Sequence, residues 1–397
     1  MFQAVHSDRS GRVFVSADYG ATALDGPLPT GLDRAIPLPA GAQLVPLTDR
    51  AAIGLDRRGL PRSLGAARWA VAAVLPPGHA RTHLPAIEAA SDAPALDPLP
   101  YTAVAADAVG ELVVAAVSLS PSAAISSEDV APAITRRLRA EPSNKLLRQL
   151  ARCARDYQCA AARNAFLGRG ECALPLGAPA NDDAAPLVAL RRLQERAPLE
   201  PLKLRIPAGD AAAVAVAHFA AGGTTVSFGH ACEGEPLDIA REVADVITQV
   251  RGQRSDGEIV LHTSGSSSAA LGRAADAGLD RVAVRLASAH GPTYERVHRP
   301  AGFRWTDVRA TLREAASRRL AITVELLSLP GLTDREIEVA ALVTLLGELR
   351  PGTELRIVDL AADPYALLVS VPGGATIGIA RLIDRLRADA AHVNLAA

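Results

Sequence analysis

Apolar and polar positions alternate in two different ways along the chain, and the change divides it into two parts. In residues 1–125, short apolar runs are separated by Pro, Gly and Asp, a pattern typical of short strands joined by turns. From residue 170 onward, apolar runs of strand length alternate with longer stretches that have helical periodicity. We therefore predict a β-rich N-terminal domain over residues 1–125 and an α/β domain over residues 170–365.

Helical periodicity dominates the segment between these domains and the end of the chain. Residues 126–169 are predicted to form a linking helical segment. Within it, 143–168 is predicted to be one amphipathic helix, with Ser143 as its N-cap and Gly168 at its end. Residues 366–397 are predicted to form a C-terminal helical segment.

Six strand-like runs recur through residues 170–365. They are residues 172–176, 225–229, 258–262, 281–286, 321–327 and 355–360. Helical segments lie between most of them, and such alternation produces parallel strands with right-handed crossovers. The sequence thus predicts an α/β fold in which a partial, TIM-like (β/α)6 barrel follows the N-terminal β-rich domain. A doubly wound sheet is the alternative.

The composition excludes several classes of function. A formal net charge of −1 over 397 residues offers no clustered positive field, so we expect no nucleic-acid partner and no anionic membrane surface. The N-terminus lacks a basic stretch followed by an apolar run, and no long apolar segment occurs. We therefore expect no signal peptide, no membrane span and a cytoplasmic location. The four cysteines suit a reducing compartment better than a disulfide framework.

Polar residues that follow the strands mark the predicted ligand-binding rim, because parallel α/β folds bind ligands at the carboxyl ends of their strands. The rim candidates are residues 229–236, 263–266, Arg285, Ser288, His290, 330–334, Asp359 and Asp363. Thr333 and Asp334 begin a predicted helix, so we expect them to cap it. In the N-terminal domain, His79 and His83 flank Arg81. Because no third ligand accompanies them, we expect ordinary loop residues rather than a metal site.

Several short motifs in this order resemble those of the radical S-adenosylmethionine (SAM) superfamily. They are Gly234-Glu235-Pro236, which resembles a Gly-Gly-Glu-Pro turn with Glu233 as its first residue, then residues 261–265, 276–286 and 329–334. Residues 153–169 also resemble an uncharacterised bacterial branch with a similar N-terminal extension. In the superfamily, the Gly-Gly-Glu-Pro turn contacts the amino group of SAM. The resemblance therefore implies a SAM site formed by Glu233, Gly234, Glu235, Pro236, Thr263, Ser264 and Arg285.

The chain departs from the superfamily at the loop that should hold a [4Fe–4S] cluster. The family places Cys-x-x-x-Cys-x-x-Cys after the first strand, and three thiolates bind the iron. Here the three positions are Ala180, Ala184 and Leu187, and no cysteine lies between Cys172 and Cys232. Cys153 and Cys159 are six residues apart on a predicted helix, where they would point roughly 120° apart. We predict that the cluster and any metal site are absent, and that SAM or a related nucleoside binds weakly at most.

The leading hypothesis is a radical-SAM-like protein that has lost its cluster ligands and serves as a pseudoenzyme or accessory subunit with a protein partner. One alternative is an active radical SAM enzyme with unusual cluster ligation. Another is a cluster-independent barrel enzyme that uses carboxylates such as Glu233, Glu235 and Asp359 in acid–base catalysis. The sequence assigns no catalytic residue, substrate or oligomeric state.

Overall fold

The structure is a computed structural model in which residues 2–26, 28–119, 129–183, 205–229, 233–371 and 373–396 are described. Ala184, Leu187 and residues 230–232, all considered above, lie outside these ranges. Among the described helices, none has the length and apolar character needed to cross a bilayer.

The N-terminal domain is rich in strands, as predicted, and its strands pair in antiparallel fashion. Its strands are β1 (Gln3–Ser7), β2 (Val13–Asp25), β3 (Leu28–Gly31), β4 (Ile36–Pro37), β5 (Gln43–Leu55), β6 (Pro61–Ser63), β7 (Trp69–Val74), β8 (His79–Arg81), β9 (Leu84–Pro85), β10 (Ile87–Ala89), β11 (Thr102–Ala106), β12 (Leu112–Val114) and β13 (Ala116–Ser118). The main sheet has the order β10-β5-β2-β1-β7-β11-β12-β4, and β8 pairs separately with β13. Extra pairings of β5 with β7 and of β1 with β11 fold the sheet back on itself. Small side chains, such as those of Ala72 and Ala105, are fully buried in this sheet.

The described part of the linking segment, from residue 129 onward, contains three helices. They are α1 (Ala131–Ala140), α2 (Lys145–Asp156) and α3 (Ala160–Leu167). The prediction of one continuous helix over 143–168 is wrong, because Gln158 adopts a left-handed φ of 53° between α2 and α3. The predicted end at Gly168 is confirmed, since this residue has a φ of 60° and closes α3.

The N-cap of α2 is Asn144 rather than the predicted Ser143. Asn144 Oδ1 accepts a hydrogen bond from the backbone N–H of Leu147 at 2.9 Å. Its amide group also donates to the carbonyl of Asp210 at 3.0 Å, so the cap connects α2 to the α/β domain. Ser143 is exposed, and both residue types are good caps, so only this tertiary contact distinguishes them.

Within the described ranges, seven parallel strands form the second sheet, in the order of the sequence. They are β14 (Glu171–Ala173), β15 (Thr225–Phe228), β16 (Glu258–Thr263), β17 (Arg281–Leu286), β18 (Ala321–Ser328), β19 (Glu354–Asp359) and β20 (Asn394–Ala396). The predicted parallel pairing is confirmed, and the consecutive order excludes a doubly wound sheet, in which the order reverses. Among the described strands, no pairing joins β14 to β20, so this sheet stays open rather than closing into a barrel.

The C-terminal end of the chain adds a strand that was not predicted. The helices of this domain are α4 (Ala208–Ala220), α5 (Ala240–Arg251), α6 (Ser268–Asp276), α7 (Gly291–His298), α8 (Trp305–Ser317), α9 (Glu336–Gly347), α10 (Pro364–Ser370) and α11 (Ile379–Asp389). After α11 the chain continues into β20, which pairs in parallel with β19. Residues 366–397 are therefore only partly helical, and the sheet has one strand more than the predicted six.

The two faces of the seven-stranded sheet differ in chemistry. One face carries buried apolar side chains, such as Leu261, Val284 and Val324, and packs in one core with the helices. Side chains alternate between faces along a strand, so their neighbours point to the opposite side. This opposite side, here called the inner face, carries charged residues. They are Glu171, Glu258, His262, Arg281, Arg285, Glu325, Glu354 and Arg356.

Candidate functional site

The loops after β15 and β16 meet at the buried carboxylate of Glu235. Its Oε1 accepts hydrogen bonds from Thr263 Oγ1 at 2.5 Å and from the Leu237 N–H at 2.9 Å. Its Oε2 accepts one from the Ser264 N–H at 2.7 Å. The prediction that residues 233–236 and 263–266 lie on one rim is therefore confirmed, and Glu235, Thr263 and Ser264 are in direct contact.

These contacts give Glu235 a structural role within the protein. Burial raises the pKa of Glu235, while the three hydrogen bonds and the nearby Arg285 act in the opposite direction. The carboxylate also caps the short 3-10 helix Pro236–Ile239 through its bond to Leu237. Binding the amino group of a ligand would therefore compete with bonds that hold this loop together.

Close backbone packing explains two glycines in the loop after β15. Gly229 and Gly234 both have left-handed φ values, of 81° and 76°. A Cβ atom at Gly229 would lie 1.9 Å from the carbonyl oxygen of His262, and one at Gly234 would lie 2.1 Å from that of Ala178. Glycine is therefore required at both positions by packing between neighbouring loops. Glu233 is buried beside them and accepts a hydrogen bond from the Gly229 N–H at 2.7 Å.

The loop after β14, where the resemblance places the cluster, is fixed by hydrogen bonds to the other loops. The carbonyl of Pro179 accepts from the Glu235 N–H at 2.8 Å. Asn181 Oδ1 accepts from Ser264 Oγ at 3.1 Å, and Asn181 Nδ2 donates to Asp238 Oδ1 at 3.2 Å. Residues around Asn181 therefore connect the loops that follow the first three strands.

Asp182 extends this network to α7. His298 is fully buried, and its Nε2 lies 2.9 Å from the N–H of Ala287. Because a backbone N–H can only donate, Nε2 is the acceptor and Nδ1 carries the proton. Nδ1 then donates to Asp182 Oδ2 at 2.9 Å. The imidazole also stacks on Tyr294 with ring centroids 4.0 Å apart. Asp182 thus has a defined protein partner.

Burial changes the chemistry of two of the described cysteines, Cys153 and Cys172. Cys172 is fully buried within β14, and burial raises its thiol pKa. Burial also raises the thiol pKa of Cys153. Cluster iron is held by thiolates, which these environments disfavour. Throughout the described ranges, no group of three or more His, Cys, Asp or Glu side chains has the arrangement of a metal site.

A small cavity adjoins the predicted SAM-binding turn. A cavity of about 10 Å³ adjoins Glu233, Gly234 and Pro236, and it is also lined by Leu174 and Phe228. That volume is about enough for one water molecule. The described residues around this turn thus line a cavity of water-molecule size.

Arg285, the remaining predicted SAM-binding residue, lies on the inner face. Its guanidinium donates to the carbonyl of Gly229, and its Nε lies 3.7 Å from Glu325 Oε2. The side chain is 7% exposed. Arg285 therefore joins the loop after β15 to a carboxylate on β18.

Glu325 is the centre of an inner-face ion cluster, which we define as Glu171, His262, Arg285, Glu325 and Arg356. Glu325 Oε1 lies 3.2 Å from His262 Nδ1 and 3.5 Å from Arg356 NH1. On its other side, His262 Nε2 lies 3.5 Å from Glu171 Oε1. Glu171, His262 and Glu325 belong to the alternate strands β14, β16 and β18. Side chains from alternate strands also form the layers that fill a TIM barrel. Here that layer is ionic.

The charges in this cluster shift one another's protonation. Burial on its own would lower the pKa of His262, but Glu325 and Glu171 outweigh it and raise that pKa to about 9. Burial on its own would raise the pKa of Glu325, but His262, Arg285 and Arg356 outweigh it and lower that pKa to about 2. At neutral pH the histidine is therefore an imidazolium between two carboxylates.

The stability of the fold should depend on pH through His262. A histidine whose folded pKa is raised from 6.5 to about 9 contributes fully below pH 6.5, and its contribution is lost as pH rises toward 9. We expect the free energy of unfolding to fall over this range, and to fall less in a His262→Gln variant. Urea denaturation at several pH values between 6.5 and 9 measures both slopes. Parallel slopes would contradict the assignment.

The other rim candidates have structural partners. Thr333 Oγ1 accepts from the Leu329 N–H at 2.9 Å, and Asp334 Oδ1 accepts from the Gly331 N–H at 2.7 Å, so both close the turn that precedes α9. The prediction that they cap this helix is wrong, because its N-cap is Arg335. Ser288 Oγ donates to the buried carboxylate of Glu338. In each case the side chain holds a turn or connects two elements.

Comparison with protein-family models finds no match, and comparison with curated proteins finds no similar sequence. Comparison with solved structures does find similar folds. HydG, a maturase of the [FeFe]-hydrogenase, has a TM-score of 0.40 at 12% identity. A radical SAM methyltransferase from Sphaerobacter thermophilus has 0.38 at 17%, and SuiB from Streptococcus suis, bound to S-adenosylmethionine, has 0.41 at 10%.

These similarities extend over part of each protein. They cover 68%, 56% and 63% of this chain, respectively. This chain in turn spans 66% of HydG, 64% of the methyltransferase and 54% of SuiB.

Proposed function

We propose that this protein is a radical-SAM-like protein without a [4Fe–4S] cluster, and that it acts as a non-catalytic accessory or binding subunit. The observation that carries the proposal is the loop after β14. Its described part offers Ala180, Asn181, Asp182 and Asp183 where thiolates would be needed. Asn181 and Asp182 already bond to Ser264, Asp238 and His298, which supports a loop that holds the rim together.

The inner-face ion cluster supports the same proposal. A radical enzyme needs room for its substrate beside the reactive centre, whereas Glu325 and Arg285 here are both 7% exposed and paired with each other. Charged side chains that cross the inner face from β14 to β19 replace a substrate pocket with ion pairs. Because an accessory role requires a protein partner, we also propose that this protein has one.

Iron content and radical chemistry test the proposal directly. After anaerobic reconstitution with iron and sulfide, we expect no cluster absorbance, and no 5′-deoxyadenosine above a no-protein control after dithionite reduction. The matched control replaces all four cysteines by serine, at positions 153, 159, 172 and 232. Near-stoichiometric iron and sulfide that disappear in this control, together with 5′-deoxyadenosine release, would establish an active enzyme with unusual ligation.

SAM binding needs its own measurement, because a cluster supplies only part of the SAM site in the superfamily that the sequence resembles. We propose weak binding at most near Gly234, Glu235 and Ser264, since their polar atoms are engaged with one another. Calorimetry with SAM on the iron-free protein measures the affinity. Submicromolar binding would show that the region around Gly234, Glu235 and Ser264 opens to admit SAM.

A further inference from the structure

Arg81 of the N-terminal domain is a fully buried arginine that reaches into the α/β domain. One terminal nitrogen, NH2, donates to the carbonyl of Leu360 at 2.8 Å and to that of Ser328 at 3.2 Å. The other, NH1, donates to the carbonyl of Tyr101 at 3.2 Å. The guanidinium is thus held by backbone oxygens from both domains.

Asp359 supplies the negative charge at this junction. Its Oδ1 lies 3.9 Å from Arg81 Nε, and both of its oxygens accept from the backbone N–H of Arg81 at 3.2 Å. Asp359 ends β19, and Ser328 ends the neighbouring strand β18. These groups therefore lie at the carboxyl ends of adjacent parallel strands, where α/β folds bind ligands.

Residues that follow Arg81 enter an apolar part of the same rim. Leu84 is fully buried in a cluster with Leu327, Leu329 and Leu360. The hydroxyl of Tyr365 donates to the carbonyl of Pro85 at 2.9 Å. The segment from Arg81 to Pro85 therefore inserts a charged group and an apolar side chain together, as a bound peptide would.

We propose that Asp359 and the carbonyls of Ser328 and Leu360 form a guanidinium-binding site, which Arg81 fills in cis. The N-terminal domain then acts as an internal ligand of the rim. The occupant that fits this site in trans is an arginine side chain of a peptide. A guanidinium suits it because a planar fork reaches acceptors on several sides, whereas an ammonium presents all of its donors from one atom.

The electrostatics agree with a site built around a cation. Burial raises the pKa of Asp359 to about 6, and Arg81 and His79 act in the opposite direction. Asp359 is therefore ionised at pH 7.5. Burial lowers the pKa of Arg81, with Asp359 and Tyr365 acting against it. The arginine remains charged, because a guanidinium does not lose its proton in proteins.

Chemical rescue tests the site on the full chain. The Arg81→Ala variant at pH 7.5 is expected to have a thermal midpoint lower by roughly 5 °C or more, because it leaves Asp359 buried without its partner. Methylguanidinium at tens of millimolar should restore part of this loss in the variant and should not raise the wild-type midpoint. Methylammonium should restore nothing. The outcome is independent of iron or SAM, so it is separable from the proposed function.

Two further variants make the test decisive. Arg57 pairs with Asp18 on the surface at 3.6 Å, so Arg57→Ala serves as the control and should leave the midpoint unchanged. Arg81→Lys keeps the positive charge but lacks the planar guanidinium group. Its thermal midpoint should therefore fall nearly as far as that of Arg81→Ala. An unchanged midpoint in Arg81→Ala, or equal rescue by methylammonium, would overturn the proposal. If Arg81→Ala fails to fold, the thermal midpoint of Arg81→Lys tests the proposal instead. A midpoint equal to that of the wild type would overturn the guanidinium site, and a clearly lower midpoint would support it.

Discussion

Replacing Glu325 by alanine is expected to lower the free energy of unfolding by about 3–5 kcal/mol. The carboxylate is 7% exposed and lies within 3.2–3.7 Å of His262, Arg285 and Arg356. Its removal leaves an imidazolium and a buried guanidinium without their shared counter-charge, which costs more than the lost attraction alone. Denaturation in urea or guanidinium chloride, monitored by circular dichroism, measures the change.

A surface ion pair provides the matched control for this substitution. Glu348 pairs with Arg309 at 2.5 Å and with Arg313 at 3.6 Å, and its side chain is 36% exposed. Because solvent screens such pairs, Glu348→Ala should cost at most about 1 kcal/mol. Equal losses in Glu325→Ala and Glu348→Ala would mean that the inner-face ion cluster is hydrated and does not fill the sheet's inner side.

Much of the α/β fold follows from local sequence. The six predicted runs coincide with β14 to β19 to within a few residues, because each is a compact apolar run between turn residues. The seventh strand, Asn394–Ala396, is too short to show a period, and only its pairing with β19 makes it a strand. The break at Gln158 is hidden for another reason: glutamine rarely adopts a positive φ, so no residue signals the corner.

The sequence predicted where the candidate site lies, but it did not predict which hydrogen bonds its side chains form. Consecutive parallel strands end at the same edge, so the loops at Glu235 and Ser264 had to be neighbours. Whether a carboxylate faces a ligand or its own backbone depends on tertiary geometry. The inner-face ion cluster did leave a signal that was missed. Charged residues two or four positions apart within one strand, as in Arg281 and Arg285, share a face.

The partners of Arg81 could not be predicted from the local sequence. It lies 278 positions before Asp359, and its flanking histidines drew attention to the loop without indicating any partner. A buried arginine needs several acceptors, and here they come from two domains. Only the assembled structure supplies them. The loop after β14, the inner face and the rim at Asp359 thus share one property: their polar side chains bond to other groups of the protein itself.

Replacing Gly229 by alanine is expected to cost about 4 kcal/mol or more, enough to threaten cooperative folding. Two effects add. The φ of 81° is strained for any residue with a Cβ atom, and that atom would lie 1.9 Å from the carbonyl oxygen of His262. Because that oxygen is backbone within the sheet, relief requires separating the loop after β15 from β16. Chemical denaturation of the purified variant, or loss of its native circular dichroism spectrum, measures the effect.

Gly59→Ala separates the two contributions. Gly59 has a similar φ of 76°, but an added Cβ would meet no atom within 4 Å. This variant therefore carries the conformational cost alone, which is about 1 kcal/mol. The difference between the two variants measures how tightly the loop at Gly229 packs on the strand that carries His262. If both substitutions cost about the same, the loop can move away from β16, and the region beside Glu233 and Glu235 would then have room for a ligand.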